Sequence, residues 1–283
     1  MPLLQSEDLE QMFGMFRGKA GKAFAEGLMM LLSIDRVNEL YDRNSHLEGP
    51  DFAEAILKDV GLEYSIGFAE STGIGNDPFD DITDLIPQGP FITISNHPCG
   101  HLDGIALVDV FGHIRPDYKV MANQMLSMIR PLESCFITVT PAGSHRTAPS
   151  QASLSGVKAA LNHLHNGGAL GLFPSGAVSD LSLKDRCVRD REWQESVIKL
   201  IERAGVPVLP VRFFDGNSAF YYSLGLIDWR VRLLRLPAEV FNKRGRNFRI
   251  GIGRLISAGE IQEYGKDLEA LRNFLRASVY DMV

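Results

Sequence analysis

The sequence predicts an α/β fold: a mostly parallel central sheet flanked by helices, with an N-terminal helical block in front of it. Two observations carry this. From Phe91 onward, short apolar runs rich in β-branched residues alternate with longer segments of helical periodicity, the pattern of successive strand–helix units. The chain is also 283 residues long with 45% hydrophobic and 23% charged residues, enough to bury a full core in one large domain or two small ones. Sheets of this kind bind ligands at the carboxyl ends of their strands, so the chemistry is to be sought there.

The elements follow in order. Phe13, Phe16, Ala20, Ala23, Phe24, Leu28 and Leu31 recur at helical spacing with Arg17, Lys19, Lys22 and Glu26 between them. This predicts an amphipathic helix that packs on the rest of the protein or lies in a membrane interface. Asp35 caps a second helix through Tyr41, and a third spans Asp51 to Val60. Residues 1–60 thus form a helical block packed on or near the membrane, and 61–283 the α/β domain. Leu62 to Phe68 reads as a strand, followed by a turn-rich acidic connector from Ser71 to Gly89. Further strands are expected at Phe91 to Ser95, Tyr118 to Met121, Phe136 to Val139, Ala169 to Phe173, Val206 to Phe213 and Phe248 to Ile252. Helices are expected near Asp103 to Phe111, Gln124 to Ile129, Ser150 to His165, Glu192 to Ala204 and Lys266 to Asp281.

Charge and cysteine usage narrow the function classes. The net charge of −6 argues against a nucleic-acid partner. Between Leu226 and Leu255, however, eight basic residues stand against two acidic ones, so this segment either meets an anionic partner or is paired to acidic neighbours. Cys99, Cys135 and Cys187 show no pairing pattern and follow no signal-peptide pattern, which leads to the expectation of a reducing cytosolic compartment. No apolar run is long enough to cross a bilayer, so membrane contact is expected to be peripheral.

Two stretches carry chemistry. The first is Phe91-Ile-Thr-Ile-Ser-Asn-His-Pro-Cys-Gly-His-Leu-Asp103, a buried strand broken by Asn96, Pro98 and Gly100 that leads into an apolar helix. It puts an imidazole, His97, on a tight turn with a carboxylate, Asp103, at the start of the helix: a general base and its orienting partner. A metal site built from His97, His101 and Asp103 is disfavoured, because His-x3-His needs a regular helix and Pro98 and Gly100 interrupt that span. The second is Gly167-Gly-Ala-Leu-Gly-Leu-Phe-Pro-Ser-Gly-Ala-Val-Ser179. There a strand ends at Pro174, and Gly176 lets the backbone approach a ligand with free amides. No Gly-Lys-Ser/Thr follows, so it is not a P-loop, and Phe173 stands where a serine-nucleophile elbow needs glycine.

These two stretches, with Val206-Pro-Val-Leu-Pro-Val211 after them, resemble the lysophospholipid acyltransferase superfamily. The closer likeness is to its hemolysin-like branch, related to ornithine and glycine lipid O-acyltransferases and marked by Asn-His-Pro-x-Gly-x-x-Asp-Gly. That motif is matched by Asn96, His97, Pro98, Gly100, Asp103 and Gly104. Tyr118-Lys-Val-Met-Ala-Asn123, Trp193 and Glu239-Val-Phe-Asn-Lys-Arg-Gly245 extend it, over roughly residues 60 to 260. Departures matter too. The spacing is His-x5-Asp where the wider superfamily has His-x4-Asp; Ser175 replaces the Glu of Phe-Pro-Glu-Gly; Ala177-Val178 replaces Thr-Arg; and Val139 stands where the family uses arginine. In members acting on glycerol phosphates such cations hold the acceptor phosphate, so their loss favours an acceptor with a carboxylate head.

The resemblance implies an O-acyltransferase that moves a fatty acyl group from acyl carrier protein or coenzyme A to the hydroxyl of a lyso-lipid, of glycine or ornithine type. It implies His97 as base and Asp103 as its partner, with no bound cofactor and no metal. Ser175 and Gly176 are the candidate oxyanion donors, and Asn96, Lys119 and Pro174 further substrate contacts. Lys184, Arg186 and Arg189 are expected to bind an anionic headgroup or the donor. A 1-acylglycerol-3-phosphate acyltransferase is the alternative enzyme, and an inactive lipid-binding protein of the same fold the alternative of another class. The expected location is cytoplasmic, peripheral on the inner face of the cell membrane.

Overall fold

The computed structural model describes residues 33–68, 82–123, 126, 128–139, 151–227, 229–264 and 267–283. The amphipathic helix expected over Phe13 to Leu31 lies outside the described residues, as does most of the Ser71 to Gly89 connector. The described chain opens with two helices, α1 (Ile34–Asn44) and α2 (Gly49–Val60). Glu48 is extended and Pro50 occupies the first turn of α2, while Gly61, at φ 75°, ends it by accepting the left-handed conformation.

A seven-stranded sheet follows. Its strands are β1 (Glu63–Phe68), β2 (Phe91–Ser95), β3 (Lys119–Asn123), β4 (Phe136–Val139), β5 (Ala169–Leu172), β8 (Val208–Phe213) and β9 (Asn247–Ile252), in the spatial order β1-β9-β8-β2-β5-β3-β4. β8, β2, β5, β3 and β4 run parallel to one another. β9 is antiparallel to β8 and parallel to β1, so the last two strands at that edge run the opposite way. The expected mostly parallel sheet is therefore present, with a reversed edge that apolar periodicity cannot register. A small hairpin, β6 (Asp180–Ser182) and β7 (Cys187–Arg189), stands apart from the sheet.

The helices cover both faces of the sheet, so that β2 and β5 are buried at every position and β8 at all but Arg212. On one face α2 and α3 (His101–Ile114) bury Phe52, Ile56, Leu107 and Phe111 against Phe91, Ala169, Leu209 and Val211. On the other, α4 (Gln151–His165), α5 (Glu195–Ala204), α8 (Ala258–Tyr264) and α9 (Leu268–Tyr280) cover Ile92, Ile94, Leu170, Leu172 and Val208. Odd and even residues of β2 and β5 thus feed different cores, the period of two that a strand imposes. Helix α2 shares a core with α3 and β2. In the interior of β5, Gly171 leaves room for the Tyr118 hydroxyl, which sits 2.6 Å from Thr93 Oγ1.

Two elements depart from the sequence expectation. The helix expected near Gln124 to Ile129 falls partly outside the described residues, and a 3₁₀ helix at Arg130–Cys135 follows it. Between β8 and β9 the chain forms a helical pair, α6 (Ala219–Ile227) and α7 (Trp229–Phe241), that periodicity had not indicated. Tyr221, Tyr222, Leu236 and Val178 make a third, smaller core beneath this pair, with Leu181 of the hairpin packed against it. This pair and the hairpin stand beside the carboxyl ends of β2, β5 and β8.

Candidate active site

Three neighbouring parallel strands end together here. Ser95 of β2 is in register with Val211 of β8, and Ile94 with Leu172 of β5, so Asn96-His97, Phe213 and Phe173-Pro174 converge at one edge. Asn96 ties two of these ends. Its Nδ2 donates to the Phe213 carbonyl at 2.8 Å and its Oδ1 accepts from the Phe213 N–H at 2.8 Å. Both ends of the Asn96 amide are engaged by backbone, which makes it the strap of the turn.

His97 follows, held through its backbone on both sides. Its N–H donates to Asp190 Oδ1 at 3.1 Å, and its carbonyl accepts from the Ser179 N–H at 2.9 Å. The imidazole is 18% exposed and stacks on Phe173, with ring centroids 4.0 Å apart. Nδ1 lies 3.0 Å from Asp103 Oδ2, whose side chain is fully buried. Both Nδ1 and the second carboxylate oxygen, Asp103 Oδ1, are buried, and Oδ1 has no hydrogen-bond partner among the described residues. The distance is within hydrogen-bonding reach, and such contacts commonly tighten only when substrate is bound.

The His-x5-Asp spacing has a local cause. Gly100, at φ 73° and ψ −125°, precedes the first residue of α3, and Asp103 stands at the third helical position. Asp103 Oδ2 accepts the N–H of Cys99 at 2.8 Å and of Gly100 at 3.0 Å, closing the helix N-terminus in the manner of a capping box. A Cβ on Gly100 would stand 3.0 Å from the Leu236 side chain. Burial pushes the Asp103 carboxyl up in pKa, while His97 and the two amides pull against it. His101 is pushed down to about 4, by burial first and by His97 second, so it is unprotonated near neutral pH and only a weak base.

The Phe-Pro-Ser-Gly turn forms the other wall. The Ser175 hydroxyl is buried and donates to the Ala177 carbonyl at 2.8 Å, so it points into its own loop. The Gly176 N–H donates to the Phe173 carbonyl at 2.9 Å and is therefore occupied in a turn. Gly176 has φ 65°, and a Cβ there would meet Gln194 Nε2 at 2.0 Å. Gln194 secures the loop by donating from its N–H to the Pro174 carbonyl at 2.9 Å and from Nε2 to the Ser175 carbonyl at 3.1 Å.

Other expected site residues are distributed differently. Lys119 opens β3 at the opposite end of the sheet from His97, and its Nζ donates to the Ser134 carbonyl at 2.7 Å. The fold does not bring Lys119 to the site: it stands at the start of its strand, as the expected span Tyr118 to Met121 already implied, and so away from the carboxyl ends. Lys184, Arg186 and Arg189 all lie on the β6–β7 hairpin, which leaves the site at Ser179. Arg189 is paired with Asp185 at 3.0 Å. Much of the basic 226–255 segment is internally paired. Arg232, 3% exposed, donates to the Ser179 carbonyl and to Asp180. Lys243, 1% exposed, donates to the Gly216 carbonyl, and Arg249 and Arg254 face Asp215 and Glu260.

The family described as Acyltransferase matches residues 52–282. The chain belongs to the Acyltransferase family. Two bacterial relatives agree with this: a lyso-glycine lipid O-acyltransferase of Bacteroides thetaiotaomicron, 26% identical over 81% of this chain and 79% of its own length, and a lyso-glycine lipid O-acyltransferase of Phocaeicola vulgatus, 25% identical over 84% and 82%. A crystal structure of the 1-acyl-sn-glycerophosphate acyltransferase PlsC from Thermotoga maritima aligns over 88% of this chain and 93% of its own. Its TM-score is 0.41 and its identity 13%. The resemblance to the lysophospholipid acyltransferase superfamily is thereby borne out, and the protein is an acyltransferase.

Within this acyltransferase, Asp190 is the residue that sequence reasoning missed. It is 3% exposed and gathers the His97 N–H, the Ser179 hydroxyl at 2.6 Å and the Trp193 indole N–H at 3.2 Å. Its own N–H donates to the Tyr280 hydroxyl and its carbonyl accepts from Arg276, which ties α9 to the His97 turn. Asp190→Ala would strand three buried donors. It is expected to cost about 3 kcal/mol of stability, read as a lower unfolding midpoint in urea, with Asp190→Asn losing less. A midpoint unchanged from wild type would refute this role.

Proposed function

We propose that the protein transfers a fatty acyl group from a thioester donor to the hydroxyl of an amino-acid lyso-lipid, of which a hydroxyacyl-glycine is the simplest case. The single observation that carries this is the His97–Asp103 pair: an imidazole with an exposed edge, 3.0 Å from a carboxylate that is itself buried and held by two backbone amides. The curated relatives' own acceptor class, together with Val139, Ser175 and Ala177-Val178 in place of the family's cations and acid, supports a carboxylate-headed acceptor over a phosphate.

In this reading Asp103 holds the Nδ1–H tautomer, leaving Nε2 to accept the proton of the acceptor hydroxyl. The alkoxide attacks the thioester carbonyl carbon and the C–O bond forms. The tetrahedral intermediate then collapses by breaking the C–S bond, and the leaving thiolate takes the proton back from the imidazolium. The products are an ester and a free thiol. The charge on Asp103 stabilises the imidazolium during that interval. Gly176 N–H is engaged in its turn, so the Ser175 N–H is the better candidate for the developing oxyanion. The donor is an acyl carrier protein or coenzyme A thioester. The lyso-lipid is reached from the inner face of the cell membrane, with Lys184 and Arg186 offered to an anionic partner.

The test is an acceptor comparison. Purified protein is given one acyl thioester and, in parallel, a hydroxyacyl-glycine and 1-acylglycerol-3-phosphate, and products are identified by mass. A diacylated glycine lipid formed at least about tenfold faster than phosphatidic acid is the expected result. Preferential formation of phosphatidic acid would overturn the acceptor assignment while leaving the chemistry in place.

A further inference from the structure

The α6 helix has a composition unlike the rest of the surface. Ala219–Ile227 contains no charged residue, yet Phe220 is 59%, Leu226 51% and Ile227 79% exposed. Phe220 and Ile227 are seven residues apart and so lie on one helix face. The opposite side of the helix is bound down: Tyr221 and Tyr222 are buried with Val178 and Leu236. Nearby, Leu233 of α7 is 40% exposed, and Leu183 and Val188 of the hairpin are 68% and 36% exposed. An apolar surface of this kind on an otherwise charged protein marks a docking face.

The described acidic side chains around it are already engaged. Asp180 is engaged by Arg191 and Arg232, Asp185 by Arg189 and the Ser182 hydroxyl, and Glu239 by Ser218 and Arg235. Lys184 and Arg186 are exposed at the hairpin tip, where Lys184 stands near Asp185, a carboxylate already held by Arg189 and the Ser182 hydroxyl. Apolar side chains flanked by exposed cations complement a bilayer surface bearing anionic headgroups. The face is also joined to the site. The Tyr222 hydroxyl and Asn217 Nδ2 both donate to the carbonyl of Pro98, the residue after His97. Among the described residues no helix is long and apolar enough to cross a membrane, so docking of this kind would give an insoluble substrate a route to His97.

We infer that the α6 face and the β6–β7 hairpin tip form a membrane-docking surface: Phe220, Leu226 and Ile227 enter the interface of an anionic bilayer, with Lys184 and Arg186 on its headgroups. The inference rests on the lyso-lipid reading for its purpose, but its test needs no catalysis. Full-length protein is sedimented with vesicles containing anionic phospholipid and with neutral vesicles. Wild type and His97→Ala are expected to bind the anionic vesicles equally. A Phe220→Ser/Ile227→Ser variant is expected to bind both vesicle types about tenfold or more weakly, with an unchanged unfolding midpoint because both side chains are exposed. Lys184→Ala/Arg186→Ala is expected to lose several-fold on anionic vesicles only, an effect abolished by salt. Wild type remaining in the supernatant, or the Phe220/Ile227 variant binding as wild type does, would overturn the inference. So would a lipid-free wild-type dimer that this variant dissolves, which would give the face to a second copy of the chain. If wild type docks but forms no ester, the docking face stands and the acyl-acceptor reading falls.

Discussion

His97→Ala is expected to lower the rate of acyl transfer by about 10²- to 10⁴-fold while leaving the fold in place. The imidazole's own contacts are a stack on Phe173 and the approach to Asp103, whereas the turn is held by the His97 backbone through Asp190 and Ser179. Removing the ring therefore deletes the base without cutting the turn. Steady-state rates at saturating donor, with an unfolding curve for the same preparation, separate the two effects. A variant that is folded yet within a few-fold of wild type would mean that another group takes the proton.

Asp103→Asn is the second large effect. The carboxylate does two things that the amide separates. Its Oδ2 caps α3 by accepting from Cys99 and Gly100, which an amide oxygen also does, and its charge supports the imidazolium, which an amide cannot. The variant is expected to keep most of its stability and to lose about 10²-fold or more in kcat, with KM little changed. Asp103→Ala loses both functions and is expected to be destabilised as well, by about 2 to 4 kcal/mol for two buried amides left without an acceptor. Equal stability of Asp103→Ala and wild type would contradict the capping role.

Much of the fold was legible because the central strands are short runs dominated by apolar and β-branched residues. β2 and β4 fall where the sequence places them, at Phe91–Ser95 and Phe136–Val139, and β5, β8 and β9 within two residues of expectation. The reversed direction of β1 and β9 was not legible, since strand direction depends on how the chain crosses over and not on its periodicity. Helices α6 and α7 were hidden for opposite reasons. α6 carries no polar period because its outer face is as apolar as its inner one, and α7 carries Pro237 inside it, which reads as a breaker.

The site divides in the same way. His97 and Asp103 were found because a turn signal, an imidazole and a helix-start carboxylate lie within one short stretch. Asp190 was invisible for the converse reason: it is 93 residues from His97 in sequence and its hydrogen bond is to the His97 backbone. Lys119 was misplaced because its block resembles one that flanks family sites, whereas its strand starts at the far end of the sheet. Ser175 and Gly176 follow Phe173, which stacks on His97, but which of their amides is engaged depends on turn hydrogen bonds that no sequence pattern states.

The most direct test of the account compares ester formation from an acyl thioester and a hydroxyacyl-glycine by wild type, His97→Ala and Ser175→Ala, with product measured by mass. The Ser175 hydroxyl is turned onto the Ala177 carbonyl, away from any nucleophilic role. Ester is expected from wild type and from Ser175→Ala at rates within about tenfold of each other, and almost none from His97→Ala. Undiminished ester from His97→Ala, or its complete loss in a folded Ser175→Ala, would contradict it.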